Sequence, residues 1–359
     1  MTGQQHVSTI GALGDTLRDL RRSRDRGVDW LLRRISDSGE PEHSDRHNGY
    51  YRLPWTLAYV GHREEAAAVL GWIENNALTE NGDLRPGPPR DSWTRVAATY
   101  PGSVIAQGAW VLEHYGTATA VLDTLVASFR SDTGGAYWER PENRTDGRQL
   151  LFPTAQLGMT ALTMGRTDVS DPAIGWFRDL FRGQRRLPTQ FFVGQRGGQV
   201  IDEVPDTDRY NLVVDFRLPR QAFHNPGIGA AFLARHSIAS GNAESAEMAR
   251  SLLALYDNST PAMFDYAEST GICKLGLGAS VMLELEPGPA ALRDLVAMNA
   301  WYRDSQNADG SWAPRTFLRP DPQQWHVLEK TAEHVLWISM MITALGAHVR
   351  TAQTEEATR

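Results

Sequence analysis

The sequence predicts an all-α fold, an (α/α)6 toroid of six helical hairpins, and three observations lead to it. Six segments rich in apolar and small residues run up to a glycine: Tyr50–Gly61, Ser103–Gly116, Phe152–Gly165, Asn225–Gly241, Cys273–Gly288 and Ala332–Gly346. Between them lie segments such as Arg63–Ala77, Ala118–Arg130, Ala243–Tyr256 and Ala290–Asp304, with apolar residues at three- and four-residue steps and charges opposite. The connections also alternate, very short after each glycine and a dozen residues or more before the next apolar segment.

Each observation has a physical reading. A helix that is apolar all round is buried, whereas an amphipathic one keeps a wet face, so two concentric helical layers bury one continuous core. A closing glycine suits the left-handed residue that ends many helices. The first outer helix is expected from about Gly27 to Ser36, which gives six pairs. Residues 27–348 then form one domain, preceded by a helical arm over 1–26 and followed by a disordered tail over 349–359. An open superhelical solenoid would need a polar capping repeat, and Val335–Leu345 is too apolar to be one. The interval from Gly165 to Gly241 is longer than the others and holds an insertion, Leu187–Phe216, expected to form a small β-ribbon over the long-loop rim.

Composition narrows the function. The chain has 359 residues and a formal net charge of −7, which gives no electrostatic footprint for nucleic acid. A single cysteine excludes a disulfide framework and a thiolate-rich metal site. No membrane span is expected, and Met1–Gly27 lacks the apolar core of a secretory signal, so a cytoplasmic location is the expectation. No phosphate-binding glycine loop opens a helix, because Gly194–Gly198 falls in the insertion. There is no H-E-x-x-H or paired-cysteine motif either. Neither cofactor nor metal is assigned, although His and Glu ligands need not be sequence neighbours. The partner expected is a small-molecule substrate, with homo-oligomerisation left open.

Gln306-Asn-Ala-Asp-Gly310-Ser-Trp312 resembles the Q-x-x-x-G-x-W repeat of squalene-hopene cyclases and related terpenoid-synthase toroids. Asp132–Trp138 reads as a degenerate copy, and Asn81-Gly82-Asp83-Leu84 as another fragment. The resemblance implies architecture, a turn whose tryptophan plugs the gap between hairpins. It implies little about chemistry, since the D-x-D-D acid of those cyclases is missing and Asp206-Thr-Asp208 is the nearest fragment. Linalool dehydratase/isomerase and the six-hairpin glycosidases, lyases and sugar epimerases share the repeat plan.

Candidate chemistry gathers on the long-loop rim, where long connections are usually functional. His47 is a proton-transfer candidate, with Asp45, Tyr50, Tyr51 and Arg52 beside it as substrate-binding residues. His224 opens the fourth inner helix, with Asn225 as its cap, Pro226 in its first turn and Asp215 placed to orient the imidazole. Cys273 sits at the mouth of the fifth inner helix, where a helix dipole lowers a thiol pKa, and Lys274 follows it. Glu329 and Glu333 lie one turn apart before the last inner helix, as do Lys330 and His334. Glu329 and His334 are the preferred acid/base pair. Tyr100, Gln107, Phe152, Phe223 and Trp325 complete the expected lining, and Trp93, Trp138 and Trp312 add rim tryptophans that suit sugar stacking. The leading reading is a cofactor-independent lyase, isomerase or cyclase acting on a small hydroxylated or terpenoid-like molecule. The alternatives are a carbohydrate-active toroid using Asp215 and Glu329 as its two carboxylates, and a non-catalytic binding protein.

Overall fold

The structure, a computed structural model, describes residues 3–90 and 97–358. Twelve main helices alternate between two rings. The outer ring holds α1 (Gly3–Leu32), α3 (Arg63–Asn76), α5 (Tyr115–Phe129), α7 (Thr167–Arg182), α10 (Ala243–Ala254) and α12 (Pro289–Ser305). The inner ring holds α2 (Leu53–Tyr59), α4 (Thr99–Val111), α6 (Leu151–Thr163), α9 (His224–Ser240), α11 (Cys273–Leu285) and α13 (Gln324–Ala357). Each inner helix packs on the next, and α13 packs on α2, so the ring is closed.

Residue type explains the layering. Every residue of α4 from Thr99 to Ala109 and of α11 from Cys273 to Leu283 is buried, as expected for helices with neighbours on all sides. Small residues let these helices approach. A Cβ on Gly227 of α9 would collide with the Lys274 carbonyl of α11. Outer helices bury one stripe, such as Ala66, Val69, Leu70 and Ile73 of α3.

The long loops carry a repeated turn that sequence reading caught only in part. Ser36–Glu40, Thr79–Asp83, Ser131–Gly135 and Asn307–Ser311 are each closed by the same two backbone hydrogen bonds. The fourth residue is always a glycine, Gly39, Gly82, Gly134 or Gly310, with φ between 82 and 98°. Those glycines press on the backbone of the following outer helix, at Ala68, Val121, Pro172 and Arg26 respectively, closer than a Cβ could sit. The last of these contacts joins the sixth repeat to the first. Two residues beyond the glycine stand Pro41, Leu84, Ala136 and Trp312, all buried. Trp312 fills the gap between Gly27 of α1 and Tyr302 of α12. Trp138 is therefore not its counterpart, because Ala136 holds that position.

Several expectations are corrected. Gly61, Gly165 and Gly241 are left-handed at the ends of inner helices, with φ of 95, 72 and 73°. Gly116 instead lies inside α5, Glu113 taking the positive-φ position at 68°. Gly288 is an extended residue before α12. Gly346 lies within α13, which runs on to Ala357 where a disordered tail was expected, since nothing after Gly346 breaks a helix. Likewise α1 begins at Gly3, so the arm and the first outer helix are one rod, with Leu13, Leu17 and Leu20 buried where it packs along α13. Gln324–Glu355 is long and apolar enough to cross a membrane by length and composition, yet it is the sixth inner helix, packed by α1, α2, α11 and α12.

The insertion forms strands, as expected, but two sheets. β2 (Gln190–Phe192) pairs with β5 (Val213–Asp215), and β3 (Gly194–Arg196) pairs with β4 (Gln199–Val200) and with β1 (Gln149–Leu150). One turn of helix, α8 (Arg209–Leu212), precedes β5. Phe191, Val193, Val214 and Phe216 belong to the main core, and Leu150, Phe192, Leu212 and Val213 form a small second one. The ribbon is built into the core, and its Tyr210 and Asn211 also reach the long-loop rim.

Candidate active site

A cavity of about 300 Å³ opens on the long-loop rim, where the inner helices begin. Tyr100 of α4, Phe152 of α6, His224 of α9, Cys273 and Lys274 of α11, and Glu329, Lys330, Glu333 and His334 of α13 line it. Long loops complete the wall with Trp138, Tyr266 and Arg319, α8 of the insertion adds Tyr210 and Asn211, and α12 adds Trp301. A closed ring of parallel inner helices places six N-termini on one rim, which is why residues remote in sequence meet there.

The floor is an ionic network centred on Glu333. Glu333 Oε1 accepts hydrogen bonds from Arg52 Nη2 at 3.3 Å, from the Tyr100 hydroxyl at 3.2 Å and from Lys274 Nζ, while Oε2 accepts from Lys330 Nζ at 2.5 Å. The Tyr100 hydroxyl itself accepts from Arg52 at 2.6 Å and from Lys274 at 2.7 Å. Burial alone raises a carboxyl pKa, but Lys274, Lys330 and Arg52 outweigh it and hold Glu333 well below the usual range. Burial pushes Lys274 down to about 8 against the pull of Glu333.

The wall is different, because its polar atoms are left over. Glu329, 2% exposed, accepts from the Tyr51 hydroxyl at 2.9 Å through Oε1, and its Oε2 has no partner among the described residues. His334 is caged by Tyr302, Trp301 and Trp312, with ring centroids 5.3 to 5.4 Å away. Its Nε2 is 3.5 Å from the Tyr266 hydroxyl and its Nδ1 is unpartnered. Desolvation lowers His334 to about 3, so the imidazole is neutral. His224 sits edge-on to Phe152 at 5.0 Å and is also lowered to about 3, by burial and then by Lys274 and Lys330. Phe152 stacks on Tyr100 at 4.5 Å.

Of the expected residues, His224, Cys273, Glu329, His334, Tyr100, Phe152 and Lys274 share this cavity, and Tyr51 and Arg52 stand directly behind it. Others do not. His47 packs on Trp325 with ring centroids 4.2 Å apart and planes tilted by 39°, and neither residue lines the cavity, which takes both off the site. Asp45 is exposed beside Arg46, and Tyr50 is buried edge-on to Trp72. Asp215 is held by Gln190 at 2.6 Å and Arg217 at 3.1 Å, behind β2, and orients no histidine. Phe223 packs on Phe216, and Gln107 donates to Thr160 deeper in the inner ring. Asn225 donates to the Ala222 carbonyl instead of capping α9. Trp93 lies outside the described residues. The expected carboxylate–imidazole hydrogen bond is absent from the described cavity wall; Glu329 pairs with a tyrosine. Cys273 is no activated thiolate, since burial, then Glu333, pushes its thiol up to about 12.

Cys273, Glu333 and His334 place possible ligand atoms within 4.8 Å of one another. A cation does not fit there, because both Glu333 oxygens are engaged and Arg52, Lys274 and Lys330 would repel it. Sequence reasoning gave no role to Tyr210, Tyr266, Trp301 or Arg319, and noted Lys330 and Glu333 without choosing them. The i, i+3 and i, i+4 spacing of Glu329, Lys330, Glu333 and His334 was the available signal, since one helical face carries all four.

No protein-family model matches the chain, and no curated protein matches it in sequence. Solved structures match its fold. An unsaturated glucuronyl hydrolase specific for heparin aligns with TM-score 0.62 at 11% identity, over 90% of this chain and 97% of that one. Unsaturated glucuronyl hydrolase from Bacillus sp. GL1 aligns with TM-score 0.57 at 16% identity, over 90% and 96%. Type II terpene cyclase MstE from Scytonema, solved with geranylgeranyl dihydroxybenzoate, aligns with TM-score 0.57 at 12% identity, over 92% and 99%. At such identities the likeness is one of fold, and it places the chain among (α/α)6 toroids.

Proposed function

We propose that this chain is an enzyme that moves protons on a small, largely apolar molecule held in the rim cavity. The carrying observation is Glu329: a buried carboxyl that lines an aromatic cavity, with one oxygen fixed by Tyr51 and the other without a hydrogen-bond partner among the described residues. A proton donor or acceptor needs that combination of fixed orientation and a free oxygen in reach of the ligand. Neutral His334 is the complementary group, and Tyr100, Phe152, Tyr266 and Trp301 form the surface for the carbon skeleton. Lyase, isomerase and cyclase reactions all use such a pair. Glycoside hydrolysis needs two carboxylates flanking a bond, whereas Glu329 and Glu333 share one helix face and Glu333 is consumed by the floor. Sugar epimerisation and eliminative cleavage of a uronide, which need only proton transfer, are carbohydrate readings this geometry accommodates.

The test is deuterium incorporation. Incubated in D2O with terpenoid alcohols and with free sugars, the enzyme should place solvent deuterium on carbon in one class. Glu329→Gln should lower the rate roughly 100-fold or more at nearly unchanged melting temperature. A variant that keeps full turnover removes Glu329 from the chemistry.

A further inference from the structure

The cavity is a basic site in an acidic chain. Four cations stand in or directly behind its wall, Arg52, Lys274, Lys330 and Arg319, against two anions, Glu329 and Glu333. The whole chain nevertheless carries a formal net charge of −7. Three of the four cations are spoken for, since Arg52, Lys274 and Lys330 all converge on Glu333. Arg319 is not. Among the described residues its guanidinium has no carboxylate partner and only lies over the Trp325 ring at 5.8 Å. It lines the cavity on the loop between α12 and α13, next to Thr316 and Leu318. Arg319 and Lys330 both line the cavity.

We propose that the cavity takes a small carboxylate, with its anionic end on Arg319 and Lys330 and its skeleton on Phe152, Tyr266 and Trp301. This rests on the acid/base reading and names the substrate class it would serve. A guanidinium left without an anion beside a desolvated wall calls for one negative charge, and its planar fork matches a carboxylate in two parallel hydrogen bonds. The ionic floor orders Lys330 in advance, so binding does not have to fix that side chain. Glu329, whose Oε1 lies 3.8 Å from Lys330 Nζ, and His334 line the same cavity, so the groups of the acid/base reading stand close to the bound carboxylate.

Uronic acids and terpenoid or aryl acids share this chemistry, and paired probes separate them. Isothermal titration would compare cinnamate with cinnamamide, geranate with geranamide, and glucuronate with glucuronamide. At least one acid should bind about tenfold or more tighter than its amide, and that acid names the skeleton. Arg319→Gln should erase the preference while leaving the melting temperature of the free protein nearly unchanged, because the guanidinium makes no ion pair among the described residues and lies 5.8 Å from the Trp325 ring. Equal binding of every acid and its amide, or a preference that survives Arg319→Gln, overturns the proposal. Phenyl phosphate binding tighter than all three acids replaces carboxylate by phosphate. Glu329→Gln removes a cavity anion and should bind the acid at least as tightly. Acid preference with full turnover in that variant sinks the proton-transfer reading alone, and lost turnover without acid preference sinks this one alone.

Discussion

Glu329 and Glu333 sit four residues apart on the same helix and are equally buried, each 2% exposed, yet they belong to two regions built on opposite rules. Both oxygens of Glu333 are matched, and three cations and a tyrosine converge on that one carboxylate, although Arg52 itself keeps Nε and Nη1 without a partner among the described residues. Around Glu329 one oxygen is matched and one is not, and the neighbouring imidazole likewise keeps a spare nitrogen. Burial without a partner is costly, so a fold tolerates it where something else completes the set. The Glu333 carboxylate holds the ring together, and under the proposed function the Glu329 carboxylate is the one a ligand completes.

The largest expected effect separates the two carboxylates. Glu333→Gln leaves Arg52, Lys274 and Lys330 without their counter-ion inside the protein, and losing one partner of a buried ionic network costs about 3–5 kcal/mol. Denaturant unfolding should show that loss. Glu329→Gln keeps an oxygen to accept from Tyr51 and should change stability by less than about 1 kcal/mol while removing turnover. Equal destabilisation by both would erase the distinction between floor and wall.

Acid tests the buried imidazoles, His224 and His334 in the wall and His326 outside it. Burial holds His224, His326 and His334 near 3 in the folded chain, against 6.5 when unfolded. As pH falls below 6.5 the unfolded chain takes up protons that the folded one refuses, so stability falls progressively towards pH 3. Each histidine contributes about 1.4 kcal/mol per pH unit, and the three together about 4. Melting curves between pH 6.5 and 5 should fall steeply, and His334→Gln should flatten the slope by about a third. A pH-independent melting temperature over that range would show that these imidazoles are solvated and the wall is wet.

Architecture was legible because the period of apolar residues reports burial, and burial on all sides defines an inner helix. The site was legible in outline for one reason: a closed ring brings six helix mouths together. Which residues at each mouth turn inward was not. His47, Asp45 and Tyr50 come from a loop that folds back against Trp72 and Trp325, and nothing in Ser44–Arg52 distinguishes that path from one leading into the ring. Asp215 looked available because its arginine and glutamine partners are local to an insertion whose strand pairing the sequence only suggested. The turn repeat was half hidden because attention fell on tryptophan. The repeated element is a glycine three residues after Ser, Thr or Asn, and the copy at Ser36–Glu40 has no tryptophan at all.

The same contrast between matched and open positions reaches the scaffold, with smaller effects. Gly310 and Gly61 have nearly the same left-handed φ, 98 and 95°. Alanine at either position meets the conformational penalty for an L-residue there, about 1 kcal/mol. At Gly61 a Cβ would project into open space. At Gly310 it would strike the Arg26 carbonyl of α1, on the contact that joins the last repeat to the first. That contact cannot relax without moving α1 or the loop, which adds an overpacking cost of about 2 kcal/mol. Gly310→Ala should therefore lose about 3 kcal/mol where Gly61→Ala loses about 1. The difference isolates ring closure from backbone strain, since φ is common to both. If the two variants unfold at the same denaturant concentration, the turn is not seated on α1, and the junction between α1 and α13 is held by helix packing alone.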